Sequence, residues 1–356
     1  MRILQIVDGD RWTGPAAVVF DQTAALIEGG VEAQYGFVGG GLLAQRLFPL
    51  GWARPLLSKP ASPFGYARQV RDLRETVRRE RFEIVHAHRS YDHIAASLAV
   101  RGTPARLVRT LHHIRHARPD PLLAAVFRST RAFAFSNAAI AARFGSPGPT
   151  LPPVVDAGRF HPGERSRALR ERLGLPEGML LVGTVGKVSA GRGHAEAIRA
   201  AAPLKGVALV HVGHGEAMAP LKQQAAALGA ADRNFWLGYQ EEILPELYRL
   251  CDAFLFPASG SDQGQRAILE AMASGLPVVA VELPGVRDLM SDGVEGVIAP
   301  DAASLGGALG RLLESAEQRA RFARAARDRA LEFTGEAFAR RAIGFYERVL
   351  SPQGSS

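Results

Sequence analysis

One rhythm constrains this chain more than any single residue does. Short apolar runs alternate with helix-like stretches from end to end, and the alternation is interrupted once. The candidate strands of the first half are Arg2–Val7, Ala33–Val38, Glu83–His88, Arg106–Leu111 and Ala132–Ser136. Helical patterns lie near 15–28, 64–80, 91–100, 120–129 and 137–144. Residues 145–153 are dense in proline and glycine, the composition of a linker. The rhythm then restarts, with strands at Leu180–Val185, Ala208–Val212, Asn234–Leu237, Ala253–Phe256 and Val278–Val281. Helices are expected near 193–202, 216–228, 241–250, 265–274 and 303–314, and two amphipathic helices within 316–350. Alternation of this kind builds parallel, doubly wound sheets. The expectation is therefore α/β, with one domain over 1–152, a second over 153–334, and a final helix in 335–356 that returns to the first. Ligands of such sheets bind beyond the carboxyl ends of the strands, so a cleft between the domains is the expected active site.

Composition narrows the class. Hydrophobic residues are 47 % and charged residues 22 %, which excludes a largely disordered chain. No apolar run reaches the ~18–20 residues that span a bilayer. The first residues read as a strand followed by an acid, without the apolar core of a signal peptide. The one cysteine, Cys251, cannot form an internal disulfide or a thiolate metal cluster. A cytoplasmic protein is expected. The net charge of +8 is uneven: residues 1–160 carry 21 Lys+Arg against 12 Asp+Glu, and the remainder 22 against 23. The basic excess is nearly all arginine. It suits an anionic surface, or simply a GC-rich genome. Nucleic acid is not expected, because the arginines are not interleaved with aromatic residues.

Four places carry candidate chemistry. The turn after Val185 holds Gly186, Lys187, Gly191, Arg192 and Gly193 and then enters a helix. Glycines permit a tight turn, and the free N–H groups of a helix start favour anions. Lys187 and Arg192 are spaced to reach one diphosphate, or to be two cations on a solvated loop. A second segment holds Asp262 and, eight residues on, Glu270. Glu270 falls among Ile268, Leu269, Ala271 and Met272, where a carboxylate must be hydrogen-bonded. A ligand diol would satisfy it; so would an arginine on the same helix. The third place is Thr110-Leu111-His112-His113 at a strand's carboxyl end, within a half that also contains His86, His88, His93 and His116. No carboxylate partner is evident, so a metal site is not expected there, nor at Asp8-Gly9-Asp10. The fourth is Gly14, a turn glycine or a phosphate-approach glycine; the turn lacks the G-x-G-x-x-G of dinucleotide dehydrogenases.

Taken together these residues resemble the retaining glycosyltransferase family 4, also called glycosyl transferases group 1. The resemblance runs over nearly the whole chain and is strongest from Cys251 to Asp288. There the family pattern of glutamate, seven residues, glutamate is met by Asp262 and Glu270, and L-E-A-M-A-x-G-x-P-V by Leu269 to Val278. Gly186, Lys187, Arg192 and Gly193 match G-R-x-x-x-x-K-G with the cations exchanged. Gly213 and Gly215 sit in a V-G-x-G, Gly238 ends an F-x-G-like segment, and Ile84–His88 and Thr110–His112 match V-H-A-H and T-x-H. The resemblance implies the GT-B fold: two Rossmann-like doubly wound parallel-sheet domains facing across a cleft, acceptor side first and nucleotide-sugar side second. It implies that Glu270 binds the ribose hydroxyls of a nucleotide sugar and that Asp262 contacts the transferred sugar. Lys187 and Arg192 stabilise the diphosphate, helped by the helix start at Gly264, Gln265 and Arg266. Gly14, Gly186, Gly213 and Gly238 approach the donor, and His112 lies by the reacting sugar. Asp262 stands where the family has glutamate, and Gln263-Gly264-Gln265 replaces G-F-G, so sugar placement differs from the family pattern.

The implied activity is a retaining, metal-independent hexosyl transfer from a nucleotide sugar to a glycan or lipid-linked acceptor in cell-envelope synthesis, for example of lipopolysaccharide. No cofactor is implied beyond the donor. A nucleotide-sugar epimerase and a non-catalytic nucleotide-sugar-binding protein stand as alternatives. The run from Arg68 to Arg81 holds six arginines against three acids, and Arg71, Arg74 and Arg78 recur at helical spacing. They suggest peripheral attachment to the anionic inner membrane, or a solvated face in which Glu75 pairs with Arg79.

Overall fold

The computed structural model describes residues 1–8, 14–40, 44–45, 47–59, 62–114, 123–258 and 265–351. The chain forms two compact units, one of Met1–Val154 with Gly335–Ser356, the other of Val155–Thr334. Each contains one six-stranded parallel sheet.

In the first unit the strands are β1 (Arg2–Val7), β2 (Glu32–Val38), β3 (Ala53–Leu57), β4 (Ile84–Ala87), β5 (Arg106–Leu111) and β6 (Ala132–Phe135), in the order β3-β2-β1-β4-β5-β6. The second unit repeats the pattern with β7 (Leu180–Val185), β8 (Val207–Val212), β9 (Asn234–Gly238), β10 (Ala253–Phe256), β11 (Val278–Val281) and β12 (Gly296–Ala299), in the order β12-β11-β10-β7-β8-β9. Counted from its own first strand, each sheet has the doubly wound order 3-2-1-4-5-6. The chain builds outward on one side, then crosses over and builds on the other. The strand order thus reverses between β1 and β4, and between β7 and β10.

The central strands are buried on both faces, as parallel strands covered by helices must be; β4, β10 and β11 are buried at every residue. Two strands escaped the sequence reading, β3 and β12. Both are sheet edges. In β3, Arg54, Pro55 and Leu56 are not buried, and a proline is tolerated because an edge lacks one neighbour. Such a strand has no continuous apolar run to betray it. The short helices Arg167–Arg172 and Val286–Leu289 were likewise unexpected.

The last helix, Gly335–Leu350, belongs to the first unit. Its Phe338, Ala342, Phe345, Tyr346 and Val349 recur at helical spacing and join Ile3, Leu26, Ile84 and Val108 in one apolar cluster. It runs along the helix Gly14–Glu28. No helix among the described residues is long and apolar enough to cross a membrane.

Candidate functional site

In the second unit, three of the singled-out glycines converge at the carboxyl ends of neighbouring strands. Gly186 follows β7, Gly213 follows β8, and Gly238 ends β9. Gly186 N–H donates to Val212 O at 3.0 Å, and Gly213 N–H to Gly238 O at 2.7 Å. A Cβ on Gly213 would sit 1.8 Å from Gly186 O, so only glycine lets the two turns touch. Gly193, with φ 79°, starts the helix His194–Ala201, and a Cβ there would lie 1.8 Å from Pro257 O. The turn after β7 is thereby pressed onto the end of β10, at the point where the strand order reverses. This is where an open α/β sheet leaves room for a ligand.

Lys187 and Arg192 rise from that turn. Lys187 is exposed, and its Nζ is 3.2 Å from the exposed carboxylate of Glu216. Arg192 is half-buried. Beneath the turn lies an arrangement the sequence reading did not isolate. The buried His211 ring stacks on Trp236 at 4.0 Å, hydrogen-bonds Asn234 Oδ1 through Nε2 at 2.9 Å, and lies 3.3 Å from His194 Nδ1. Burial pushes His211 down to about 3, so this support is uncharged.

The helix Gln265–Ala273 follows β10. Gln265 is buried and donates through Nε2 to Pro284 O at 2.7 Å, tying the helix start to the turn after β11. Glu270 is only 6 % exposed. Its Oε1 accepts from Arg266 Nε at 2.9 Å, and its Oε2 from the buried Tyr248 hydroxyl at 3.1 Å. Burial pushes its carboxyl up, and Arg266 and Tyr248 pull it back. The arginine partner on the same helix is therefore present. It does not exhaust the carboxylate, which has about four lone-pair sites. Asp262 and Gly264 lie outside the described residues, as do Gly9, Asp10 and His116.

In the first unit, Gly14 begins the helix that follows β1. His112 directly follows β5, and His88 directly follows β4. His88 Nδ1 is 3.0 Å from His112 Nε2, so the two strand ends meet through their rings. Behind them Asp92 is fully buried and receives the backbone N–H groups of Asp8, His88 and Arg89. Arg109, also buried, places Nη1 3.4 Å from it. Burial raises Asp92 to about 7 against the pull of Arg109. His86, His88 and His93 are all pushed down by burial. Among the described residues, no three His, Cys, Asp or Glu side chains converge as metal ligands would.

Of the three arginines proposed to meet a membrane, Arg71 and Arg78 are exposed and Arg74 is half-buried. Arg74 donates to Leu98 O and Ala99 O, and Arg78 to Gly102 O, so both serve the carboxyl end of the helix Ser90–Ala99. A helix end carries unpaired carbonyls and partial negative charge, which explains the attraction. Arg71 is exposed and pairs with Asp72; Arg79 pairs with Glu80 rather than Glu75.

Comparison with known proteins agrees with this layout. The model of the family described as Glycosyltransferase Family 4 matches residues 12–143, and that described as Glycosyl transferases group 1 matches 165–329. The D-inositol 3-phosphate glycosyltransferase of Stackebrandtia nassauensis is 33 % identical over 228 residues, covering 57 % of this chain and 50 % of that protein. Its counterpart in Geodermatophilus obscurus is 38 % identical over 162 residues, covering 42 % and 36 %. The chain thus spans half or less of the length of these curated relatives. The fold matches HepE of Anabaena in complex with UDP, with a TM-score of 0.86, 20 % identity, and coverage of 98 % of this chain and 100 % of that one. Its complex with UDP-glucose gives 0.82, with the same identity and coverage.

Proposed function

The chain belongs to the glycosyl transferases group 1, and from that premise we propose that it moves a sugar from a nucleotide-sugar donor to an acceptor hydroxyl with retention of anomeric configuration. The observation that carries this reading is the joining of Gly186, Gly213 and Gly238 into one close-packed strand edge below Lys187 and Arg192. The two cations on that turn and the uncapped start of the helix His194–Ala201 would meet a diphosphate there. Glu270, buried yet with lone pairs to spare, would take the ribose hydroxyls. The relatives named for D-inositol 3-phosphate and the Anabaena structure with UDP-glucose support a nucleotide-sugar donor.

The chemistry follows from charge. As the anomeric C–O bond breaks, positive charge grows on the sugar and negative charge on the diphosphate. Fixed cations aimed at the leaving group stabilise that separation, so a metal ion is not required. The acceptor hydroxyl attacks from the face the diphosphate leaves, and its proton passes to a leaving phosphate oxygen. By the family resemblance Asp262 would hold the transferred sugar, Gly264 and Gln265 would help to bind the phosphates, Gly14 would approach the donor, and His112 would lie by the reacting sugar. The acceptor is a glycan, a glycolipid or a phosphorylated polyol, in cell-envelope synthesis in the cytoplasm. Peripheral membrane attachment would rest on the run of Arg71, Arg74 and Arg78, of which Arg71 and Arg78 are exposed.

A thermal-shift screen across UDP-, GDP- and ADP-sugars, followed by donor turnover with each acceptor class, tests the proposal. One nucleotide is expected to stabilise the protein, by about 2.7 kcal/mol at a hundredfold excess over Kd. Its sugar is expected to be transferred with retained configuration. Stabilisation without turnover of any donor would establish the non-catalytic reading instead, and interconversion of donors without transfer the epimerase.

A further inference from the structure

Five side chains distant in sequence form one chain of hydrogen bonds that ends on His112. Gln5 lies in β1, His86 in β4, His88 just beyond it, Thr110 in β5, and Tyr346 in the last helix. His88 Nε2 is 2.6 Å from Gln5 Oε1. Gln5 Nε2 donates to Tyr346 Oη at 3.0 Å. Tyr346 Oη is 2.7 Å from His86 Nδ1, and His86 Nε2 is 2.7 Å from Thr110 Oγ1. The link of His88 Nδ1 to His112 Nε2 completes the chain.

The protons of this chain can be placed by counting. His86 and His88 are buried and neutral, so each ring has one N–H and one lone pair. Gln5 Oε1 only accepts, so the His88 proton sits on Nε2. His88 Nδ1 is then a lone pair, and His112 Nε2 must donate to it. On the other side Tyr346 accepts from Gln5, gives its one proton to His86 Nδ1, and leaves His86 Nε2–H to donate to Thr110. Every group accepts from one neighbour and donates to the next, so all bonds run one way, from His112 towards Thr110. Reversing one bond alone would set two protons or two lone pairs face to face. Gln5 fixes the direction, because its oxygen can only accept and its nitrogen only donate, whereas an imidazole can change tautomer and a hydroxyl can rotate.

We infer that Gln5 is a positioning residue for His112, holding the ring, through His88, with Nε2–H directed at His88 Nδ1. The consequence for catalysis rests on the reading above that His112 lies by the reacting sugar: with Nε2 committed to His88, the ring is held in one orientation beside it. Which ring nitrogen carries the proton is set by the bond the other one makes. Tyr346 gives the last helix a share in this, since it anchors the donating end of Gln5.

Ring ¹⁵N spectra of the ¹⁵N-histidine-labelled full chain test the assignment, with His88 and His112 signals identified by subtraction in His88→Asn and His112→Asn. The expected result is a protonated Nε2 on both rings and an unprotonated Nδ1 on His88. A proton on His88 Nδ1, or an unprotonated Nε2 on His112, overturns the inference. Gln5→Met, close to isosteric, is expected to give both rings mixed tautomers and to lower kcat about tenfold at nearly unchanged KM, the scale of a lost orienting partner. A folded Gln5→Met protein with the wild-type ring spectrum overturns it equally. Should that variant not fold, the wild-type spectrum decides alone. The spectra need no donor, so a protein that turns over no nucleotide sugar would refute the function without touching the tautomer assignment.

Discussion

The two units share one strand order and put different chemistry at the same edge. Beyond β7, β8 and β9 the second unit places glycines and backbone, with cations on the rim. Beyond β1, β4 and β5 the first unit places Asp8, His88 and His112, backed by the buried Asp92 and Arg109. One edge suits close approach of a phosphate chain, because its glycines carry no side chains. The other suits holding side chains in one orientation and protonation state, which needs buried partners. Identical topology leaves both solutions open, and the side chains choose between them.

The largest effect expected from breaking this contrast is on stability, in the first unit. Arg109→Met strips the buried Asp92 of its cation and should cost about 3–5 kcal/mol by urea unfolding. The double variant with Asp92→Asn should cost less than the single one, because no charge is then left unpaired. If the two are equal, the pair is not coupled. In the second unit the matching change acts on turnover and not on folding. Lys187→Ala should lower kcat by about 10²–10³, as when one preorganised charge stabiliser is lost. Its stability should barely move, since the Glu216 pair is exposed. Near-wild-type turnover would remove Lys187 from the leaving-group clamp.

Glu270→Ala should weaken binding of every nucleotide with the same ribose by about 1.5–3 kcal/mol, measured by calorimetry. Unchanged affinity in a folded variant would reduce Glu270 to a partner of Arg266 and Tyr248. Taken per pH unit, the smallest effect concerns acid. His93 and His211, one in each unit, are lowered by burial from 6.5 to about 3. Between those values the unfolded chain binds the extra proton. Each ring's contribution is therefore whole above about pH 6.5 and is lost as the pH falls, by about 1.4 kcal/mol per pH unit. Asp92 acts in the opposite sense between 3.8 and about 7, because there the folded state holds the proton. His93→Gln and His211→Gln should each flatten the acid limb of the stability curve by one proton. An unchanged slope in either would mean that ring is not held neutral.

The sheets were legible in the sequence wherever strands are central. β1, β5, β7, β10 and β11 begin and end where their apolar runs do. β3 was not, because Arg54 and Pro55 interrupt its apolar run, and β12 was not, because it is a four-residue run that opens on glycine. The helix from Pro63 to Arg79 was legible, but the work of its arginines was not. Helical spacing puts Arg71, Arg74 and Arg78 near one another, yet two of them turn to the carbonyls of a neighbouring helix end. At the candidate site the motifs marked two segments, Gly186–Gly193 and Gln265–Glu270. That Gly213 must be glycine because Gly186 O lies against it is a contact between two strand ends, invisible in either segment alone.

What the sequence determined by itself is therefore whatever depends on local period and local chain stiffness: two parallel α/β sheets, their helices, and glycine turns followed by cations. These follow from burial of alternating apolar faces and from backbone freedom, which neighbours in sequence decide. What only the tertiary structure decided is pairing. Glu270 meets Tyr248, Arg109 meets Asp92, and Gln5, His88, His112 and Tyr346 meet although up to 341 positions separate them. A buried polar group must find a partner, but nothing in its own segment says which. The fold supplies that partner by bringing strand ends and the last helix together, and with it the protonation state of each ring.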